Sequence, residues 1–238
     1  MIKNFVNVIR CLFAAVVLLG LSGCGDSNNS SVNLTPVGTV VNLSKFASSF
    51  MGLSNSVTLN FPDLQGTDPQ GNALTGSASM TPDSNTTTLD DGTKCYSSVD
   101  ASTLNENGSI LVTESITKYF KVSDGSFYRM VAVSDRGTTT YVRTSADPFP
   151  HTIKVGDSGN MGVFQGSDGT TLFVEWAMNA GIDGGSIFVI SEQFYDAGNG
   201  MTSEEHNWYL DAQGNPTKFA FHINLSDGTY QVSGDISG

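Results

Sequence analysis

From Val57 onward, short runs rich in Val, Ile, Thr, Phe and Tyr alternate with polar clusters such as TDPQGN, NENGS, GDSGN, IDGG and DAQGNP. Runs of this composition, bounded by turn signals roughly 10–20 residues apart, are the pattern of antiparallel strands joined by short connections. Short connections set consecutive strands side by side. The pattern therefore predicts an all-β fold of about ten to twelve strands, an antiparallel up-and-down meander or barrel, with a two-sheet β-sandwich as the alternative. A parallel α/β sheet is excluded, because no later segment carries the periodicity that crossover helices require. The one helical signal comes early. Leu43, Phe46, Ala47 and Phe50 recur at helical spacing, with Asn42 able to cap and Gly52 able to end the turn. This predicts a short amphipathic helix over 42–51, packed against the β-domain.

Two hairpins can be written pair by pair. A two-residue loop at Asp227-Gly228 pairs Leu225 with Tyr230, Ile223 with Val232, Phe221 with Gly234 and Phe219 with Ile236. The other face then pairs Asn224 with Gln231 and His222 with Ser233. One face is apolar and the other polar, which pins the register. A loop at Asp183-Gly184 pairs Phe173 with Phe194, Glu175 with Glu192 and Ala177 with Ile190, and sets Trp176 across from Ser191.

The start of the chain follows another grammar. Lys3 and Arg10 precede the apolar run CLFAAVVLLGLSG over 11–23. That run is shorter than the about 20 residues of a bilayer-spanning helix and has the dimensions of a signal-peptide core. Its end, Leu21-Ser22-Gly23-Cys24, is an aliphatic residue, two small residues and a cysteine, and it resembles the lipobox of bacterial lipoproteins. The resemblance implies cleavage before Cys24, lipid on the Cys24 sulfur and acylation, palmitate-like, of the new amino group. Two or more acyl chains anchor a protein stably where one does not. Gly25 follows the cysteine and the first Asp is Asp26, which by the same resemblance favours the outer over the inner membrane. The chain then divides into a signal peptide (1–23), a polar, flexible tether (24–39) and a single β-domain with its short helix (40–238).

Charge narrows the partners. The 238 residues carry a formal charge of −12, and loss of the basic Lys3 and Arg10 makes the processed chain more acidic still. An acidic chain is repelled by nucleic acid and by anionic lipid surfaces. Of three cysteines, Cys11 leaves with the leader and Cys24 is consumed by lipid. Cys95 is left as a lone thiol, expected buried and inert in a strand.

Candidate chemistry is sparse. The opposed pair Glu175 and Glu192 has the about 5 Å separation of a retaining glycosidase, with Phe173 and Phe194 as apolar walls. Trp176 and Trp208 offer flat faces on which a sugar could stack, although such residues also serve as core anchors. Gly156-Asp157-Ser158-Gly159 resembles the nucleophile segment of chymotrypsin-like proteases, but the only earlier histidine, His151, is too near in sequence to serve, and a tight turn explains the tetrapeptide. Glu204-Glu205-His206 is not expected to form a metal site, because adjacent strand residues face opposite ways. No glycine-rich phosphate loop opens a helix. The expectation is a membrane-anchored envelope lipoprotein acting as a non-catalytic binding or assembly module, without cofactor or metal. Its partner would be an apolar ligand, a glycan or another envelope protein. A carbohydrate-active enzyme using the two glutamates and a structural or adhesive surface protein are the alternatives.

Overall fold

The structure, a computed structural model, describes residues 33–53, 57–134, 137–145, 147–196, 200–225 and 228–236. The segment read as a signal peptide (1–23), Cys24 and the part of the expected tether up to residue 32 lie outside these residues. Among them the chain forms, in order, β1 (Val40–Asn42), α1 (Ser44–Met51), β2 (Leu59–Thr67), β3 (Ala73–Thr88), β4 (Lys94–Glu106), β5 (Ser109–Lys121) and β6 (Phe127–Ser134). There follow β7 (Gly137–Ser145), β8 (Thr152–Lys154), β9 (Ser158–Gly166), β10 (Thr171–Ala180), β11 (Ser186–Asp196), β12 (Gly200–Leu210), β13 (Pro216–Leu225) and β14 (Gly228–Asp235).

Twelve of these strands close into an antiparallel barrel in nearly pure chain order, β2 to β7 and then β9 to β14, so the barrel is realised and the sandwich is not. Only β8 departs, leaving the wall to pair with β1 in a two-stranded sheet outside it. Closure comes where β14 meets β2, over Gln231–Thr67, Val232–Gly66 and Ser233–Gln65. Gly66 suits this seam, since a Cβ there would lie 1.7 Å from the Gln231 carbonyl oxygen.

Alternation along the strands separates lumen from exterior. In β10, Leu172, Val174 and Met178 are buried while Phe173, Glu175 and Asn179 are exposed. An eight-stranded barrel is just filled by its own side chains, and diameter grows with strand number, so twelve strands leave space to fill. Helix α1 fills one end. It starts two residues later than the spacing predicts, with the Asn42 side chain accepting from the Ser44 N–H, and ends at Gly52 in the left-handed region (φ 74°). Gly52 also lies against the wall, where a Cβ would overlap the Ser97 carbonyl. Phe46, on the buried face of the helix, stacks among Phe50, Phe149, Phe188 and Trp208, and Phe50 continues to Phe120, Phe127 and Phe164. The helix end of the lumen is thus an aromatic core.

Both hairpin registers differ from expectation, for different reasons. In β13–β14 the observed pairs are Ile223–Tyr230, Phe221–Val232 and Phe219–Gly234, with Leu225 opposite Gly228. This is a shift of two residues, which preserves the faces. In β10–β11 the turn forms at Asp183-Gly184 as expected: both φ are positive (51° and 83°) and the Gly185 N–H donates to the Ile182 carbonyl. However, the Gly181 N–H also donates to the Gly185 carbonyl, so one extra residue sits on the first strand before Ala180 pairs with Ser186. That bulge slides the register by one residue and reverses which side chains face each other. Residues 33–35 run against this bulge. Thr35 N–H donates to the Gly181 carbonyl, Asp183 N–H to the Asn33 carbonyl, and Leu34 bridges Ile182. The stretch 33–39, polar enough to group with the tether, is therefore docked on the barrel, with Thr35 buried.

Candidate functional site: the barrel lumen

The lumen contains charge as well as phenylalanine. On β4, Ser98 faces inward, its hydroxyl donating to the Phe50 carbonyl of α1, and Asp100, Ser102 and Leu104 follow at alternate positions. On β5 the same face carries Val112, Glu114, Ile116, Lys118 and Phe120. On β11 it carries Phe188, Ile190, Glu192 and Phe194, and on β12 Glu204, His206, Trp208 and Leu210. Lys118 is buried; its Nζ donates to Asp100 Oδ2 at 2.6 Å and stands 3.9 Å from the centre of the Phe50 ring. Glu192 and Glu204 are directly opposed across β11–β12, and His206 Nε2 lies 3.3 Å from Glu204 Oε2.

These groups adjoin a cavity of about 100 Å³ between β2–β5 and β12–β13. Its apolar walls include Phe61, Met80, Ile116, Trp208, Phe219 and Phe221, and its polar lining includes Asp100, Glu114, Glu204 and His206. A dry cavity of about 150 Å³ takes up benzene, so this smaller volume suits a molecule of only a few heavy atoms. The hydrogen-bonded wall is closed and α1 blocks one end, yet the side chains of Asp100, Glu204 and His206 keep 30%, 21% and 21% of their exposure. Solvent therefore reaches them from the end opposite the helix. Two buried polar atoms here have no hydrogen-bond partner, Asp100 Oδ1 and Trp208 Nε1. A larger groove of about 820 Å³ along the outside of β2–β6 is lined largely by Ser, Thr and Ala and gathers no comparable set of ionisable groups.

Electrostatics in the lumen follow from burial. Burial, reinforced by the Glu204 and Asp100 charges, pushes the Glu192 carboxyl up to about 7 despite the opposing pull of His206 and Lys118. Burial alone would lower His206, but its bond to Glu204 and the charge of Glu192 outweigh that and raise it. Among the described residues, no group of three or more His, Cys, Asp or Glu is arranged to hold a metal ion.

The residues singled out from sequence separate. The Glu175–Glu192 pair is overturned: the bulge puts Glu175 opposite Ser191 and Glu192 opposite Val174, so Glu175 is exposed outside while Glu192 is buried inside. The glycosidase arrangement is lost with it. Trp176 faces inward but is half-buried against Gly159 and Phe188. Trp208, 3% exposed, is both core anchor and cavity wall. Cys95 is buried on β4, and burial, then the nearby Asp91, pushes its thiol up to about 11. In the Gly156–Gly159 segment, Asp157 accepts from the Lys154 N–H as a turn residue does. Glu205 points outward, bonded to Asn207 and beside His222, away from Glu204 and His206. Asp100, Glu114, Lys118, Glu204 and His206 were missed as a set. The available signal was parity, since Glu204 and His206 share a face with Trp208 and Leu210. No protein-family model matches the chain, and no curated protein or solved structure is detectably similar to it.

Proposed function

We propose that the protein is an envelope lipoprotein, tethered through Cys24, whose barrel lumen takes up a small ligand without transforming it. The observation that carries this reading is the solvent-reached lumen cavity, with apolar walls, an ionisable floor and one end closed by α1. Small-molecule sites combine apolar lining with a few placed polar groups in this way. The lipobox resemblance supports the address, and the outer membrane is the favoured one. The geometry of the chain suits a tether: residues 33–35 meet the barrel at the Gly181–Gly185 turn, on the same end as the Lys45–Asn215 contact of α1. The about nine residues from Cys24 to Asn33 reach at most roughly 30 Å. The open end of the lumen would then face away from the bilayer that holds the lipid.

Two measurements test this reading. Metabolic labelling with a fatty acid is expected to tag the wild type and not a Cys24→Ser variant; equal tagging of both removes the anchor. Native mass spectrometry of protein released gently from envelopes is expected to show a small-molecule adduct on the wild type. Ser102→Phe, which projects a ring into the cavity, is expected to lose that adduct while keeping the β-rich circular dichroism of the wild type. Adduct-free spectra from both proteins would count against the lumen as a binding site.

A further inference from the structure

The rim where the chain enters the barrel is studded with exposed apolar side chains. Among the described residues, six large apolar side chains are more than half exposed: Leu34, Val37, Val40, Val57, Ile110 and Ile182. Ile110 lies beside the Asn107-Gly108 turn, at the open end of the lumen. The other five gather at the opposite end. Leu34 bridges Ile182 in the connection between β10 and β11. Val37 sits at the tip of a turn closed by the Thr39 N–H on the Pro36 carbonyl, beside Gly156. Val40 opens β1 opposite Lys154 of β8, and two residues on the Asn42 carbonyl lies against Gly214, in the connection between β12 and β13. The Val57 carbonyl accepts from the Ser49 hydroxyl of α1. Because Ser186 pairs with Leu210, the two connections belong to one rim.

Apolar residues scattered singly over a surface are ordinary, whereas a cluster marks a contact face. Turn tips are usually polar, and turn chemistry asks for neither Val37 nor Ile182. The left-handed positions that these turns need are filled by Gly38 (φ 86°) and by Asp183-Gly184. What meets the cluster follows from the chain itself. Asn33 is docked on this rim, its carbonyl accepting from the Asp183 N–H. The about nine residues leading back to Cys24 span at most roughly 30 Å. Lipid on Cys24 therefore keeps this rim within a tether's length of a bilayer. Lys45 and Lys154 share the rim with Asp157, Asp183 and Asp211. Charges of both signs are interspersed, so the rim suits zwitterionic rather than anionic headgroups.

We propose that this rim is a membrane-contact surface, on which Leu34, Val37, Val40, Val57 and Ile182 enter the headgroup region of zwitterionic lipid. A flexible tether alone leaves the barrel free to turn on its anchor. Contact through the rim holds it upright, with the open end of the lumen pointing away from the bilayer. Five side chains make a weak contact by themselves, and the anchor makes it effective by holding rim and lipid at high local concentration. The inference rests on the Cys24 anchor and is separable from it.

The test uses lipidated protein, extracted from membranes in detergent and reconstituted into phosphatidylcholine vesicles. One environment-sensitive fluorophore is placed on Val37→Cys, Ile182→Cys or, as the control at the open end, Ile110→Cys. All three positions are exposed, and Cys95 is buried and so escapes labelling. Phosphatidylcholine spin-labelled near the headgroup is then added to the vesicles. The labels at positions 37 and 182 are expected to lose roughly half or more of their emission, and the label at position 110 to keep nearly all of it. Adding Val37→Asp to the protein labelled at position 182 is expected to reverse most of the quenching without changing flotation with the vesicles. Equal quenching at all three positions, in protein that floats with the vesicles, overturns the contact surface and leaves the anchor. Wild-type protein that fails to float with them overturns the contact surface and the anchor together.

Discussion

Glu192 is the residue at which fold and chemistry meet. It replaces an apolar side chain in the inward row of β11, between Ile190 and Phe194, and faces Glu204 on the next strand. Its carboxyl pKa rises from 4.5 to about 7, chiefly through burial. A carboxyl raised in the folded state binds its proton more tightly there than in the unfolded chain. Its contribution to stability is full below about pH 4.5 and is lost as pH climbs through 7. His206, also raised, acts in the same direction: its contribution is full below pH 6.5 and is lost as pH rises through its folded value. Glu192→Gln, which removes the charge and keeps the shape, should therefore match the wild type at pH 4 and exceed it at pH 8. The gain at pH 8 should be on the order of 2 kcal/mol by urea denaturation. Equal stability at pH 8, or a gain confined to pH 4, would contradict the buried, raised carboxyl. The charged lumen was only partly legible beforehand. Parity along β12 ties Glu204 and His206 to the face of Trp208, whereas Glu192 was assigned to the wrong neighbour. Pairing it with Glu175 required counting back from a turn, and the count holds only where no bulge intervenes.

At the scale of elements, the same bulge shows why local signals go only so far. Asp183-Gly184 adopts the turn its residue types demand, yet the extra residue at Gly181 is stabilised from outside the hairpin, by Asn33 and Thr35. No feature of the hairpin announces a partner about 150 residues away. Helix α1 gives a parallel lesson. Its spacing specifies that Phe46, Ala47 and Phe50 are buried, which they are, but not that the surface covering them is the inside of a barrel. The helix should therefore act as a structural plug. Phe46→Ala is expected to cost about 3–5 kcal/mol, since the ring is fully buried among four aromatic neighbours. Lys45→Ala, which removes only an exposed contact to Asn215, should cost well under 1 kcal/mol. Equilibrium urea unfolding of the two variants side by side measures the difference. Similar small losses would mean that α1 merely lies on the rim. The turns themselves were the most legible elements. Asp68-Pro69-Gln70-Gly71-Asn72 and Asp211-Ala212-Gln213-Gly214-Asn215 close alike, each Asp accepting from the backbone and side chain of the Asn four residues on.

For the molecule as a whole, strand number and antiparallel order follow from the regular spacing of turns, because short connections leave neighbouring strands little choice of partner. Closure does not follow, since it depends on the three pairs joining β14 to β2 across the length of the chain and on a glycine that lets the backbones approach. Nor does the lumen, whose walls are assembled from strands far apart in sequence. Yet closure gives the molecule its proposed role: a wall of twelve strands encloses more volume than its own side chains fill, α1 takes one end, and what remains is a cavity with apolar walls and ionisable lining. The most direct test of that claim uses the two tryptophans. Both face inward, but only Trp208 borders the cavity. With isotope-labelled indoles, assigned through Trp176→Phe, the chain is titrated in turn with three small probes of one length, 4-aminobutan-1-ol, butane-1,4-diol and 4-hydroxybutyrate. The Trp208 N–H resonance is predicted to move to saturation with at least one probe while Trp176 stays in place. A Trp208 resonance unmoved by all three, or one drifting together with Trp176 and without saturation, would contradict a ligand-binding lumen.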